Sequence, residues 1–384
     1  MDRSTQDDWL ILSLVGGLGP TLLRRCVEAL GSPRSVLDAS AQQLAGVRGI
    51  GQNGAGKIKS EIARLRGGQE VERERQLIEE HQVRLYTTDD AGYPALLRHI
   101  PDPPPLLYVR GELRDDDAVA LGIVGARRCT QYGREQADRL ATLTSQAGLC
   151  IVSGGAYGVD AAAHRAALRA NGRTIAVVGS GLADPYPPPH AELFDQIAAG
   201  AGAVVSELPM AFPPMAENFP RRNRIISGMA LGVLVIEASA RSGALITARL
   251  CAEEHGREVM ALPGRVDSST SRGCHKMIRE GWATLVTSAP DILDALGETG
   301  QLLRAGLSHR PDHDENPKSI VEHRLTDSQR LVVDALGEPN GLDQLVATTG
   351  LPVHVLQSDL TLLQLRGLVE KSGGRFNRRQ VRTS

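Results

Sequence analysis

Short apolar runs recur through the middle of the chain, at 119–124, 150–153, 174–178, 203–205, 231–236, 258–262 and 283–286. They are rich in Val, Ile and Leu and do not alternate with polar positions, the pattern of strands buried on both faces. Between them lie stretches of helical periodicity, such as 134–147 and 160–170. Strands alternating with helices in this way build a parallel sheet with crossover helices, not a meander of hairpins. The pattern predicts a doubly wound, Rossmann-like α/β domain over 83–296.

The flanks have other textures. Residues 1–66 read as short helices separated by two glycine-rich turns that echo each other, Leu14-Val-Gly-Gly17-Leu-Gly19-Pro20 and Leu44-Ala-Gly-Val-Arg-Gly49-Ile-Gly51. The second resembles a helix-hairpin-helix, whose turn can present amides to a phosphate; it reads equally well as a structural hairpin. A small all-α, SAM-like domain is expected there. Residues 297–323, with Pro311-Asp-His-Asp-Glu-Asn-Pro317, read as a linker. Residues 324–384 show helical stretches at 326–336, 342–349 and 352–365 followed by a hairpin at 366–376, which predicts a winged helix. From Arg366 onward six basic residues stand against one acidic, enough for an auxiliary DNA contact, although winged helices also dock proteins. The 352–365 stretch holds no Arg or Lys, which argues against a transcription regulator with a strong recognition helix.

The 384 residues make room for two or three domains, and 41% apolar with 23% charged residues excludes wholesale disorder. A net charge of −2 excludes a global basic field, so a nucleic-acid site must be local. The basic residues are 38 Arg and 5 Lys, which reflects either coding bias or use of the planar phosphate-gripping fork. Aromatics are only 3%, too few for a groove that stacks base after base. The start, Met-Asp-Arg-Ser-Thr-Gln-Asp-Asp, is polar and acidic, unlike a signal peptide. The longest uncharged stretch, 140–159, carries Thr142, Thr144, Ser145, Gln146 and four glycines, so no membrane span is expected. Five scattered cysteines without a CxxC pair imply reduced thiols and a cytoplasmic protein.

Ligands of such sheets bind beyond the carboxyl ends of the strands. Here those ends carry Gly125-Ala-Arg127-Arg128, Ser153-Gly154-Gly155-Ala-Tyr157-Gly158-Val-Asp160, Gly179-Ser-Gly181 and Arg241-Ser242-Gly243. Glycines let backbone amides approach an anion, and following helix N-termini favour negative charge. Gly122-Ile-Val-Gly125 lacks the dinucleotide fingerprint, and no acidic residue is placed to hold a ribose, so a phosphate backbone fits better than NAD. A second cluster, Phe219-Pro-Arg221-Arg222-Asn223-Arg224, heads a helix and adds anion-binding side chains.

Other features read as decoys. Gly51 to Lys57 has P-loop spacing, but Ile58 stands where Ser or Thr must bind magnesium, and no strand precedes it. Asp160 and His164 are spaced for acid–base work, yet Asp160 reads as an N-cap and His164 as satisfying a backbone group. His309 and His313 with Asp312 and Asp314 read as linker charge. No catalytic residue, cofactor or metal is expected.

Tyr132-Gly133, Ser153 through His164, Tyr186-Pro187, Ser206-Glu207, Phe219 through Gly228, Ser242 through Ala248 and Pro263-Gly264 follow Gly-Ala-Arg127 in one order. In this set the chain resembles the DNA-processing protein A (DprA/Smf) family over almost its whole length. The resemblance implies a non-enzymatic mediator that binds and protects incoming single-stranded DNA, loads RecA during natural transformation and acts as a homodimer. It places Arg127 in the DNA pocket, with Arg222, Asn223 and Arg224 beside it. Tyr157 departs from the family, many members of which carry Lys there; a tyrosine offers base stacking instead. The dimer and RecA surface is expected near 273–281, with Met277, Ile278 and Trp282. The competing reading is a nucleoside-monophosphate phosphoribohydrolase on the same fold, whose P-G-G-x-G-T-x-x-E segment is replaced here by Ala240-Arg-Ser-Gly-Ala-Leu-Ile-Thr247.

Overall fold

A computed structural model describes residues 3–307, 327–336, 340–365, 368–372 and 375–378. The chain divides into two compact units, Met1–Asp291 and Ile292–Ser384.

The first unit is built on a nine-stranded sheet. Its strands are β1 (Val83–Thr87), β2 (Leu106–Gly111), β3 (Ala120–Gly125), β4 (Cys150–Ser153), β5 (Thr174–Val177), β6 (Gly202–Ser206), β7 (Gly232–Ile236), β8 (Glu258–Ala261) and β9 (Thr284–Leu285). They lie in the order β1-β2-β6-β5-β4-β3-β7-β8-β9. From β3 to β9 every pairing is parallel, as the unbroken apolar runs require. The sheet is nevertheless mixed, because β1 and β2 extend it antiparallel beyond β6. These two strands were not among the expected ones; eighteen intervening residues rich in proline and aspartate separate them and hide the pairing. The strand order reverses beside β3, with β4 on one flank and β7 on the other. That crevice is where a doubly wound sheet receives a ligand.

Successive strand residues point to opposite faces, so β2 divides its side chains between two cores. Leu106 and Tyr108 join a cluster with Val178, Phe194 and Val204, while Leu107 and Val109 join Val177, Val205, Ile225 and Val235 on the other face. The first cluster runs without interruption into the N-terminal helices, through Trp9, Leu12, Leu37, Leu44, Ile58 and Leu65. A polar pin reinforces this face: the Tyr108 hydroxyl bonds Ser13 Oγ at 2.9 Å, and buried Glu74 accepts the Met210 amide at 2.7 Å. The N-terminal helices therefore pack on the sheet instead of forming a detached module. Both glycine-rich turns join helices, Arg3–Leu14 to Pro20–Leu30 and Ala41–Ala45 to Gln52–Leu65. Lys57 lies inside the last of these, with no strand before it in the chain.

In the second unit, Gly297–Leu307 is helical, although the polar composition there reads as linker. Helices Asp327–Ala335, Leu342–Thr349 and Val353–Leu365 precede the hairpin of β10 (Val369–Ser372) and β11 (Arg375–Arg378). Val332, Leu345, Leu356, Leu363 and Phe376 form their common core. An Asn340–Phe376 bridge adds the third short β segment of a winged helix. His309, His313 and the basic residues after Arg378 lie outside the described residues, as does Arg366. Among the described residues no helix is long and apolar enough to cross a membrane, and no His, Cys, Asp and Glu cluster is suited to a metal ion.

Candidate nucleic-acid interface

The β3–β7 crevice opens into a cleft of about 410 Å³. Gly125 and Arg127 come from the turn after β3, Ser242 and Gly243 from the loop after β7, and Arg222 and Asn223 from helix Asn218–Met229. Six of the sequence-predicted site residues thus converge. Phe219, Ile226, Ile246 and Thr247 complete the walls together with Ala156 and Asp160.

Helical spacing decides what the basic cluster contributes. Positions 219, 222, 223 and 226 share one stripe of a helix and face the cleft; position 224 falls on the opposite side. Arg224 is buried, clamping Glu207 through two bonds of 2.6 and 2.7 Å and donating from Nε to the Asp102 carbonyl at 2.9 Å. Burial works against its charge, but the Glu207 and Asp102 carboxylates outweigh that and strengthen its hold on the proton. Arg224 therefore cannot be a DNA contact; it is an internal tie between this helix, the end of β6 and the 102 loop.

Arg222 is buried at the floor of the cleft, donating to the Val177 carbonyl. Burial pushes its guanidinium down to about 10, with the charge of Asp160 opposing the fall. The same burial raises the Asp160 carboxyl, against Arg222 and the amides of Ala156 and Gly154, which it accepts. Asp160 is therefore not an N-cap: Gly158 holds that position, and the carboxylate instead takes the amides that the glycine turn after β4 offers. Gly154 is required by crowding, since a Cβ there would strike both Arg222 and Asp160.

Arg127 is exposed, and its guanidinium carbon stands 5.2 Å from the centre of the Phe219 ring. Among the described residues it forms no ion pair. Its loop is seated by Gly158, whose φ of +79° and lack of a Cβ let the backbone press against the Ala126 and Arg127 carbonyls. Arg127 and Arg222 against one carboxylate leave the cleft with surplus positive charge, the electrostatics of an anion site.

The remaining glycine-turn residues serve packing. Ser153 is fully buried and donates to the Ile123 carbonyl at 2.6 Å, tying β4 to β3. Gly155 lies over Phe194, Gly179 against Phe219, and Gly181 against the Pro209–Met210 backbone. His164 bonds the Thr174 hydroxyl at 2.7 Å and not a backbone group; burial pushes its imidazole down to about 3, so it stays neutral.

Exposed aromatic rings border this edge: Tyr157 and Tyr132 are each 42% exposed. Tyr157 is held edge-on to His190 at 4.9 Å, and His190 bonds the Gly155 carbonyl at 2.8 Å. On helix Arg272–Arg279 the expected surface residue Met277 is fully buried with Cys274, three residues apart on the inward face. It cannot form a surface contact, whereas Ile278 and Trp282 are half-buried against the core of that sheet face.

From sequence, Asp160 reads as an N-cap, Phe219 only as the residue that opens the basic cluster, and Glu237 carries no role. Phe219 opens the basic cluster at the correct helical spacing, a signal that was available. Glu237, directly after β7, carries no local signal, because its partners are 107 and 33 residues away.

The cleft can be set beside known proteins. The profile of DNA recombination-mediator protein A matches residues 84–297, and that of the DprA winged-helix domain matches 317–375. Protein Smf of Synechocystis is 36% identical over 99% of this chain and 100% of its own length. Protein Smf of Escherichia coli is 39% identical over 78% of this chain and 79% of its own. The X-ray structure of DNA processing protein A from Streptococcus pneumoniae superposes with a TM-score of 0.64 at 32% identity, covering 77% of this chain and 98% of that one. With a central profile that spans the sheet and its cleft, and relatives matched along nearly their full length, the chain belongs to the DNA recombination-mediator protein A (DprA/Smf) family.

Proposed function

We propose that this protein is a recombination mediator that binds single-stranded DNA in the β3–β7 cleft, protects the strand and loads RecA onto it during natural transformation. The observation that carries this reading is the cleft itself. It is open, carries more cationic than anionic charge, and presents an exposed arginine beside backbone at a sheet switch point. Phosphate binding there is sequence-independent, as a mediator acting on any incoming strand requires.

Preference for single strands follows from the rim. Tyr157 offers a ring face at an edge where phosphates are held, and only unpaired bases can stack on it. The one carboxylate among the cleft-lining residues, Asp160, is committed to Arg222 and two amides. That supports binding over hydrolysis of an N-glycosidic bond, which needs a free carboxylate. A homodimer is part of this reading: the last strand of the sheet, β9, carries exposed Leu285, and half-buried Ile278 and Trp282 precede it closely in the chain.

Fluorescence anisotropy with matched single- and double-stranded oligonucleotides tests it, with and without the cognate RecA. The expected result is tighter binding of the single strand and faster RecA filament nucleation on it. Equal affinity for duplex would overturn the reading.

A further inference from the structure

Glu237 does what a bound anion usually does. The residue is 4% exposed, with its side chain directed at the N-terminus of helix Gln131–Gln146, the helix that follows the first parallel strand. One carboxylate oxygen accepts the Thr130 amide at 2.7 Å, and the other accepts the Thr130 hydroxyl at 2.6 Å. The Thr270 hydroxyl, on the loop after β8, adds a third bond at 3.1 Å. Gly133 leaves room for it; a Cβ there would lie 2.6 Å from the carboxyl carbon. To reach this place Glu237 adopts a φ of +51°, a left-handed conformation that costs an L-residue free energy. Four separate features therefore converge on one carboxylate.

The place matters. In Rossmann-type folds the helix end after the first strand is where a dinucleotide phosphate is bound, by amides and helix dipole. Here an internal carboxylate takes the amide and hydroxyl of the N-cap residue Thr130, whose own oxygen caps the Gly133 amide at 3.2 Å. The loop between β3 and that helix is held at both ends, by the Val159 amide on the Ala126 carbonyl at 3.3 Å and by Glu237 on Thr130. Arg127 projects from the span between these two anchors.

We propose that Glu237 is a positioning residue: it stands in for a bound anion at the N-terminus of helix Gln131–Gln146 and sets the 126–130 loop so that Arg127 serves the neighbouring cleft. The inference rests on the cleft being the DNA site. It assigns a specificity as well as a role, because a filled helix end rejects a nucleotide phosphate while the adjacent cleft accepts a strand.

The test uses the full chain as wild type, Glu237→Ala, Glu237→Gln, Arg127→Ala and the Glu237→Ala/Arg127→Ala double variant. Binding of a labelled oligothymidylate is measured alongside the thermal midpoint, with chloride replaced by acetate or inorganic phosphate at constant ionic strength. Glu237→Ala is expected to weaken binding roughly ten-fold, the size of one charge-assisted contact. In the Arg127→Ala background the same change is expected to cost nothing further. Acetate or phosphate should refill the vacated helix end, raising the midpoint of Glu237→Ala more than that of wild type and restoring part of its affinity. Glu237→Gln, which keeps the volume and one acceptor, should fall between, and supplies the same comparisons if the alanine variant does not fold. Wild-type affinity in both Glu237 variants, additive losses with Arg127→Ala, or a helix end that neither anion stabilises would overturn the proposal. If Arg127→Ala loses affinity and the Glu237 variants do not, only the role of Glu237 falls; if Arg127→Ala binds normally, the cleft reading falls and takes this inference with it.

Discussion

Two kinds of anion-ready place lie side by side at the carboxyl edge of the sheet, and the protein has filled one kind and left the other open. At the end of helix Gln131–Gln146, Glu237 takes the Thr130 donors; in the turn after β4, Asp160 takes the amides of Gly154 and Ala156. Between them the β3–β7 cleft keeps Arg127 exposed and without an ion pair among the described residues, with Arg222 at its floor. The same glycine-rich chemistry supports both outcomes. What separates them is whether a carboxylate of the chain, local as Asp160 or distant as Glu237, reaches the donors and neutralises them.

The contrast repeats within three residues of one helix, where Arg224 belongs to the filled side and Arg222 to the open one. Replacing Arg224 with Ala leaves Glu207 buried without its partner, and the expected cost is about 3–5 kcal/mol of stability. Chemical denaturation should show that loss, while the affinity of the folded fraction for single strands stays near wild type. A large affinity loss in a variant that remains folded would move Arg224 to the open side.

Arg127→Ala is the converse change. It is expected to keep the wild-type denaturation midpoint and to lose about 1.5–3 kcal/mol of binding, roughly ten- to a hundred-fold in affinity. Arg128 is also exposed but does not line the cleft, and Arg128→Ala should bind visibly better than Arg127→Ala. Identical behaviour of the two variants would erase the distinction between the cleft and the general surface.

Tyr157→Ala probes the rim, with the smallest expected effect. Loss of one stacked base should cost about 1 kcal/mol with single strands and nothing with duplex. An equal loss with both would show that the ring supports the fold through His190 and not the bound strand.

Most of the architecture was legible in the chain because buried parallel strands announce themselves as short unbroken apolar runs. The winged helix followed from three periodic stretches and a glycine hairpin. The antiparallel extension by β1 and β2 was not legible, since pairing across a proline-broken connection depends on what β6 leaves uncovered. The N-terminal helices looked detachable from composition, yet their apolar faces continue the core through Leu12, Leu37 and Ile62.

The site was legible in part, and the reason is geometric. Arg127, Arg222 and Asn223 could be named from a strand-end turn and a basic run. Counting the run as one cluster concealed that Arg224 lies about 200° around the helix from Arg222, facing an ion pair. Treating the turns as phosphate cradles concealed that Gly155 and Gly181 are demanded by close packing and that the Ser153 hydroxyl is spent on the Ile123 carbonyl. The resemblance puts the dimer surface on the helix that carries Met277, although the i, i+3 spacing of Met277 with Cys274 marks the inward face. Internal carboxylates at positive helix ends can only be found once distant loops are brought together.

The central claim is that a strand phosphate is held in the open cleft by Arg127. The most direct measurement is the salt dependence of single-strand affinity for wild type and Arg127→Ala, from low to physiological ionic strength. Each phosphate contact contributes about −0.7 to the log–log slope, so the variant should show a slope shallower by about 0.7 together with its lower affinity. An unchanged slope in Arg127→Ala would contradict the account and place the phosphate contacts elsewhere on the molecule.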